Sequence, residues 1–395
     1  MAREKALVAG VSMTPFVTPG KSPPYTVLAA QALREVLTDA GIDYREIAQI
    51  YAGYVYGDST SGQRAVYEVG LTGVPIINVN NNCSTGSTAL YLARQAIESG
   101  AADCVLALGF EQMARGALAE HFTDRPGPLD KFRAIADQRH GSTEAPMALQ
   151  LFGGAARDYS ARYGMAAESF AQITVKARKH AALNPKAVFR ELVSLEEVLA
   201  SPMVFEPLTR LQCCPPTCGA AAAVLVSERF AKTRGLQADV RIAAQAMTTD
   251  TASTFEGDLT KVVGYDMSAS AAREVYESAG IGPEDIKVIE LHDCFTSNEV
   301  ISYEALGLVP PGGAERLIRD GDNTYGGKYV INPSGGLLSK GHPLGATGLA
   351  QCYELVSQLR GQAGQRQVEN AQIALQHNLG LGGACVVTLY EKVKA

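Results

Sequence analysis

No apolar segment of the 395-residue chain approaches the length of a membrane span, so no membrane insertion is expected. The first residues run straight into a strand-like stretch and lack the longer apolar core and small-residue cleavage site of a secretory signal. A cytoplasmic location and reduced thiols are therefore expected for its 8 cysteines. Positive charge is also short: 35 Lys and Arg stand against 41 Asp and Glu, a net charge of −6. Such a chain has no basic field to displace counterions, and no nucleic-acid partner is expected. A small anionic ligand is still allowed, because a few local cations suffice to hold one. With 46% hydrophobic and 19% charged residues there is no disordered or fibrous bias either, and the length allows two or three packed domains.

What is present is an alternation of buried strands and amphipathic helices. Residues 5–11 read as a strand, Tyr25–Ala40 as a helix ended by Gly41, residues 50–55 as a second strand, Ile76–Val79 as a third and 103–109 as a fourth. This order predicts a parallel α/β layer. From 113 to about 211 the alternation stops: 122–129 is loop chemistry, and 145–182 is a helical pattern broken at the Gly153-Gly154 pair and at Gly164. That segment reads as an insertion with small helices of its own, after which 220–227 is again a strand.

The second half repeats the first. Laying 33–50 over 272–289 gives identical residues at eight of eighteen positions, among them Arg34/Arg273, Gly41/Gly280 and Ile50/Ile289. Chance would give about one at ordinary residue frequencies. In the same way Cys83-Ser84-Thr85-Gly86 lies on His342-Pro343-Leu344-Gly345, so each half presents a reactive side chain at the start of an equivalent helix. The predicted architecture is α/β, with two similar halves related by a pseudo-twofold axis. Residues 1–112 and 212–236 form the first half around the insertion 113–211, and 237–395 form the second.

Cys83, in Asn80-Asn81-Asn82-Cys83-Ser84-Thr85-Gly86-Ser87, falls where a strand turns into a helix. Free backbone N–H groups and the helix dipole there are expected to favour thiolate. His292-Asp293-Cys294-Phe295 follows a strand, where ligands bind in open α/β sheets, and alternate residues His292 and Cys294 can share one face. His342 sits in a glycine-rich approach to a helix. Zinc is disfavoured because no paired ligand motif of the usual spacing completes the set. Cys213, Cys214 and Cys218 are assigned to packing rather than metal binding, and Cys104, Cys352 and Cys385 to the core. His121, His140 and His180 are placed at the surface or in loops, and His377 is left open.

The runs around Cys83, His292-Asp293-Cys294-Phe295, Asn332-Pro333-Ser334-Gly335-Gly336 with Gly341-His342-Pro343-Leu344-Gly345, and Gly380-Leu381-Gly382-Gly383 resemble the four active-site loops of thiolases. The His-Asp-Cys-Phe variant is similar to that of the sterol-carrier-protein X branch. The resemblance implies a thiolase fold and a role in lipid metabolism such as fatty acid β-oxidation. It implies acyltransferase chemistry on 3-oxoacyl-CoA, releasing acetyl-CoA, or propionyl-CoA from 2-methyl substrates, with branched or sterol-derived chains accepted. Cys83 would be the nucleophile and His342 its activator. Cys294 would be the acid/base, in place of a cysteine that other thiolases carry where this chain has Gly380. His292 and His342 would hold the enolate oxygen, and backbone N–H groups of Cys83 and Gly382 the tetrahedral oxyanion. No metal or resident cofactor is implied, coenzyme A being a co-substrate, and a homodimer is expected. The fused lipid-transfer domain frequent in this branch is not seen, and Cys218 replaces a usual Asp. A thiolase-fold retro-aldolase and a catalytically silent acyl-CoA or lipid carrier are the rival readings.

Overall fold

Tyr25–Ala40 and Tyr265–Ala279, the helices that matched in sequence, both stop at a left-handed glycine, Gly41 at φ 64° and Gly280 at φ 70°. The computed structural model describes residues 4–114 and 122–393, and within them the duplication covers both halves apart from the insertion in the first; His121 lies outside them. The first half runs β1 (Ala6–Met13), α1 (Tyr25–Ala40), β2 (Gln49–Gly53), α2 (Ser61–Val66), β3 (Ile76–Val79), α3 (Thr85–Glu98) and β4 (Cys104–Glu111). An insertion follows: α4 (Asp130–His140), α5 (Met147–Tyr163), α6 (Ala167–Ala182), α7 (Leu195–Ala200) and the hairpin β5 (Met203–Phe205) and β6 (Leu208–Thr209). The half closes with β7 (Gly219–Ser227) and α8 (Glu228–Arg234). The second half runs β8 (Val240–Thr248), α9 (Leu259–Val262), α10 (Tyr265–Ala279), β9 (Val288–Glu290), α11 (Thr296–Ala305), α12 (Ala314–Arg319), β10 (Val330–Ile331), α13 (Leu344–Arg360), β11 (Ile373–Gly380) and β12 (Ala384–Lys392).

The strands lie in the order β3-β2-β4-β7-β1-β8-β12-β11-β9-β10. Equivalent strands occupy equivalent places from either end, so the pseudo-twofold passes between β1 and β8, which pair only through Leu7↔Arg241 and Val8↔Val240. The sheet is mixed rather than parallel throughout. β3, β2 and β4 are parallel, whereas β7 is antiparallel to both β4 and β1. β4 runs into the insertion and β7 returns from the same end, so β7 has to run the other way.

Alternation along the strands sorts side chains into layers. Leu106 and Leu108 of β4 face α1, while Val105 and Ala107 face a central layer built from α3 and α13. On the far side the second half packs α10 and α11 into a third core, which the insertion joins. α3 and α13 touch at their backbones: a Cβ on Gly348 would lie 2.2 Å from Ser87 Oγ, and one on Gly86 would lie 2.8 Å from Gly345 O.

Three expectations for the insertion fail. The helices are not small, α5 having 17 residues and α6 having 16, and α5 continues through Gly153-Gly154. These glycines serve close packing, since a Cβ would meet the Phe205 ring at 2.3 Å from position 153 and Leu259 at 2.4 Å from position 154. Gly164 does end the helix, at φ 71°. His180 is not a surface residue: it is buried, its Nδ1 2.9 Å from Asn332 O and its Nε2 2.7 Å from Thr324 Oγ1, because α6 packs on the second half.

Replacing Gly348 by alanine tests the crossing. Helix propensity alone favours Ala by up to about 1 kcal/mol, whereas overpacking costs about 1–3 kcal/mol. The expected outcome for Gly348→Ala is a lower urea midpoint, and a raised midpoint would show that the two helices have slack.

Candidate active site

The turn carrying Cys83 is built by its own polar side chains. Asn82 takes a left-handed φ of 50°. Thr85 Oγ1 accepts from Asn81 N–H at 2.9 Å and donates to Asn82 O at 2.6 Å, and Ser84 Oγ donates to Asn81 O at 2.9 Å. Asn82 Nδ2 donates across to Leu381 O at 3.0 Å, tying this loop to the glycine loop of the second half. Cys83 is half-buried at the entrance to α3, and the backbone N–H groups facing its thiol are those of Leu381 and of Cys83 itself. Gly382, expected from the resemblance, follows at φ 96°. The expected thiolate is not the resting form. Burial pushes the Cys83 thiol up to about 12, Glu111 adds to the rise, and the two N–H groups only partly oppose it.

The equivalent turn in the second half places His342 beside Cys83. Its ring and that of His292 lie at 82° with centroids 5.1 Å apart, and ligand atoms of Cys83, His292 and His342 all lie within 4.8 Å of one another. Burial, with the Lys340 charge, lowers His342 to about 3, and burial with the neighbouring His342 and His377 lowers His292 well below the usual range, so both rings are neutral. Thr347 Oγ1 donates to Pro343 O at 2.9 Å and lies 2.7 Å from His342 Nδ1. The ring proton assigned from this pattern is on Nδ1, leaving the buried, unpartnered Nε2 as a proton acceptor in the pocket.

His292 and Cys294 share the pocket, a cavity of about 200 Å³ that Cys83, His342 and Cys214 also line. Apolar residues make up most of its remaining wall, with Leu129, Met147 and Phe152 contributed by the insertion. Asp293 points away from it and accepts from Leu337 N–H at 2.7 Å, bracing the turn that leads to His342. Burial raises the Cys294 thiol, with Cys214 and Cys83 contributing. Position 380 has no room for a side chain, because a Cβ there would lie 2.2 Å from Asn81 O. Glu111 joins the halves, accepting from Val55 and Tyr56 N–H at 3.1 and 2.9 Å and from Gly345 N–H at 3.0 Å.

Residues 6–229 match the family described as "Thiolase, N-terminal domain", and residues 245–390 match "Thiolase C-terminal domain-like". The chain belongs to the thiolase family. It is 56% identical over 393 residues to sterol carrier protein 2 of Bos taurus, covering 98% of this chain and 72% of that protein. Its fold is similar to that of the Ltp2-ChsH2(DUF35) aldolase, with a TM-score of 0.83 at 24% identity over 98% of both chains. It is also similar to human mitochondrial 3-ketoacyl-CoA thiolase in complex with CoA, with a TM-score of 0.76 at 18% identity over 100% of this chain and 99% of the other.

Against this thiolase framework, two residues stand where the sequence did not place them. Cys214, assigned to packing, lines the pocket, because its N–H bonds Cys294 O at 2.9 Å and so turns this segment toward the site. His377 is buried behind the site, Nε2 2.9 Å from Ser268 Oγ and Nδ1 3.4 Å from His292 N–H, and so supports His292 from below. Cys213 and Cys218 bond backbone carbonyls of Thr209 and Met113, as packing residues do. Asn378, which donates to Cys83 O at 3.1 Å and faces His292 Nδ1 at 3.0 Å, was missed. Its only sequence signal was its place two residues before Gly380.

The thiol's raised range sets a testable pH response. Iodoacetamide should alkylate Cys83, followed by peptide mass mapping, more slowly at pH 8 than it alkylates a free thiol, with the rate still rising about tenfold per unit at pH 10. A plateau below pH 8 would show that the helix terminus outweighs burial.

Proposed function

We propose that this thiolase-family chain cleaves 3-oxoacyl-CoA with CoA through a Cys83 acyl-enzyme. The observation that carries the reading is the meeting of Cys83, His292 and His342, whose sulfur and ring nitrogen atoms lie within 4.8 Å of one another, in a pocket that also holds a second thiol, Cys294. As the substrate's C3 carbonyl approaches, Cys83 Sγ bonds to C3 and its proton passes to His342 Nε2. Negative charge forms on the C3 oxygen, held by the N–H of Cys83 with Gly382 as the second donor. The C2–C3 bond breaks with its electron pair left on C2, and the resulting enolate oxygen is held by His292 and the now protonated His342. Cys294 gives its proton to C2, and acetyl-CoA leaves, or propionyl-CoA from a 2-methyl substrate. CoA then loses its thiol proton to the Cys294 thiolate and attacks the thioester. Cys83 is expelled, recovers the proton from His342, and acyl-CoA departs.

The lack of room at Gly380 supports assigning the acid/base to Cys294. The apolar wall suits an acyl chain, and the reading extends to branched or sterol-derived chains. We place the reaction in the cytoplasm, as part of lipid breakdown by β-oxidation. The protein is read as a homodimer formed through the β3 edge of the sheet. Among the described residues β3 pairs only with β2, and beside it Ile77 is 38% and Leu71 78% exposed, whereas the opposite edge, β10, is short and buried.

Intact mass after incubation with acetoacetyl-CoA tests the function. An acetyl adduct that disappears in Cys83→Ala supports the reading, and no adduct at all would leave the retro-aldolase or carrier. Cys294→Ala should still acylate but turn over at least 10²-fold more slowly, about the contribution of one acid/base group; normal turnover would remove Cys294 from that role. For the edge, Ile77→Lys should shift the light-scattering mass from dimer toward monomer, and an unchanged dimer would place the contact elsewhere.

A further inference from the structure

His292 and His342 are both buried, neutral and close, yet the structure gives them opposite hydrogen-bonding roles. Cys83 O is a backbone carbonyl and can only accept, so the Asn378 atom 3.1 Å from it is the amide nitrogen. The same nitrogen lies 3.0 Å from His292 Nδ1, to which it presents its second hydrogen. Flipping the amide would set two acceptors against each other at Cys83 O. The far side agrees: Asn378 Oδ1 accepts from Ser87 Oγ at 2.8 Å, and Ser87 Oγ in turn accepts from Gln376 Nε2 at 2.7 Å. Gln376 is itself fixed, because Nε2 also donates to Gly348 O at 2.7 Å and Oε1 accepts from the Tyr390 hydroxyl at 2.5 Å. His292 Nδ1 must therefore carry a lone pair, and the single ring proton falls on Nε2, the reverse of His342.

We propose that Asn378 is a positioning residue that holds His292 in the Nε2–H tautomer, so that the resting pocket pairs one donor imidazole with one acceptor imidazole and does not capture a divalent metal. The kinetic part of this inference rests on the thiolase reading above; the tautomer and metal parts do not. The second consequence follows from ligand chemistry. Cys83, His292 and His342 have the types and closeness of a zinc tripod. A ligating imidazole needs a bare nitrogen toward the metal and an acceptor behind its other N–H. His342 meets that requirement through Thr347. His292 does not, because the group behind it is a donor.

The test uses the full chain labelled with ¹⁵N-histidine, His292→Gln serving to assign the signal. Long-range ¹H–¹⁵N correlations should show His292 with its proton on Nε2, and an Nδ1–H form in the wild type would overturn the proposal without any variant. Asn378→Asp replaces the donor with an acceptor and should move the proton to Nδ1. Titration with zinc chloride alone, read by calorimetry, should then show binding about 10- to 100-fold tighter than in the wild type, the usual effect of a partner behind a ligating histidine. That gain should vanish when Cys83→Ser is added, and unchanged zinc affinity would overturn the metal part. With acetoacetyl-CoA and CoA, the same variant should lose kcat by about 10²-fold with KM little changed, the size expected for a donor used in the transition state; an unchanged kcat would overturn the kinetic role. If the wild type forms no acetyl adduct while the tautomer and zinc results hold, the proposed function falls and the role of Asn378 stands.

Discussion

Where α3 crosses α13, two backbones touch with almost no side chain between them, and the rest of the site depends on that contact. Gly86, Gly345 and Gly348 leave no room for a Cβ, and Gly109 of β4 meets Gly345 O just as closely. Because the two helices are equivalent parts of a duplicated unit, drawing them together brings their starting residues together. Cys83 and His342 meet for that reason, although 258 residues lie between them. A larger residue at the crossing would press the two helices apart, and with them the starts that carry Cys83 and His342.

The second determinant is burial, which outweighs the local dipole. The helix terminus and two N–H groups favour a charged sulfur at Cys83, but desolvation prevails and the thiol remains protonated. The same force keeps His292, His342 and His377 neutral. The resting pocket is thus a set of uncharged groups whose protons are placed by hydrogen bonds rather than by titration. Burial thus favours the uncharged form of the thiol and of the imidazoles alike.

Much of this could be read in the sequence because duplication leaves residue identities behind. Gly41 and Gly280, and Cys83 laid on His342, mark the pseudo-twofold and two residues of the candidate site in the sequence itself. The motif loops supplied His292 and Cys294. What escaped depends on contacts between segments far apart in the chain. Gly153-Gly154 looked like a helix break, since sequence does not distinguish a glycine that frees the backbone from one that admits Phe205 and Leu259. His180 looked exposed because nothing in its own segment shows that the face of α6 it occupies is covered by the second half. Cys214 and Asn378 acquire meaning only from Cys294, Cys83 and His292 across the pocket. β7 turned out antiparallel for a similar reason, strand direction following from where the insertion returns.

Glu111 shows what this means for the halves as separate objects. Its carboxylate takes two N–H groups from its own half and one from Gly345, so neither half alone can complete that set of bonds. The halves share a repeated pattern, and this carboxylate belongs to both. During synthesis the Cys83 loop leaves the ribosome well before Gly345 does, and the carboxylate waits for its last donor until most of the second half has emerged. The Cys83 turn is then walled in by the same event that brings His342 beside it.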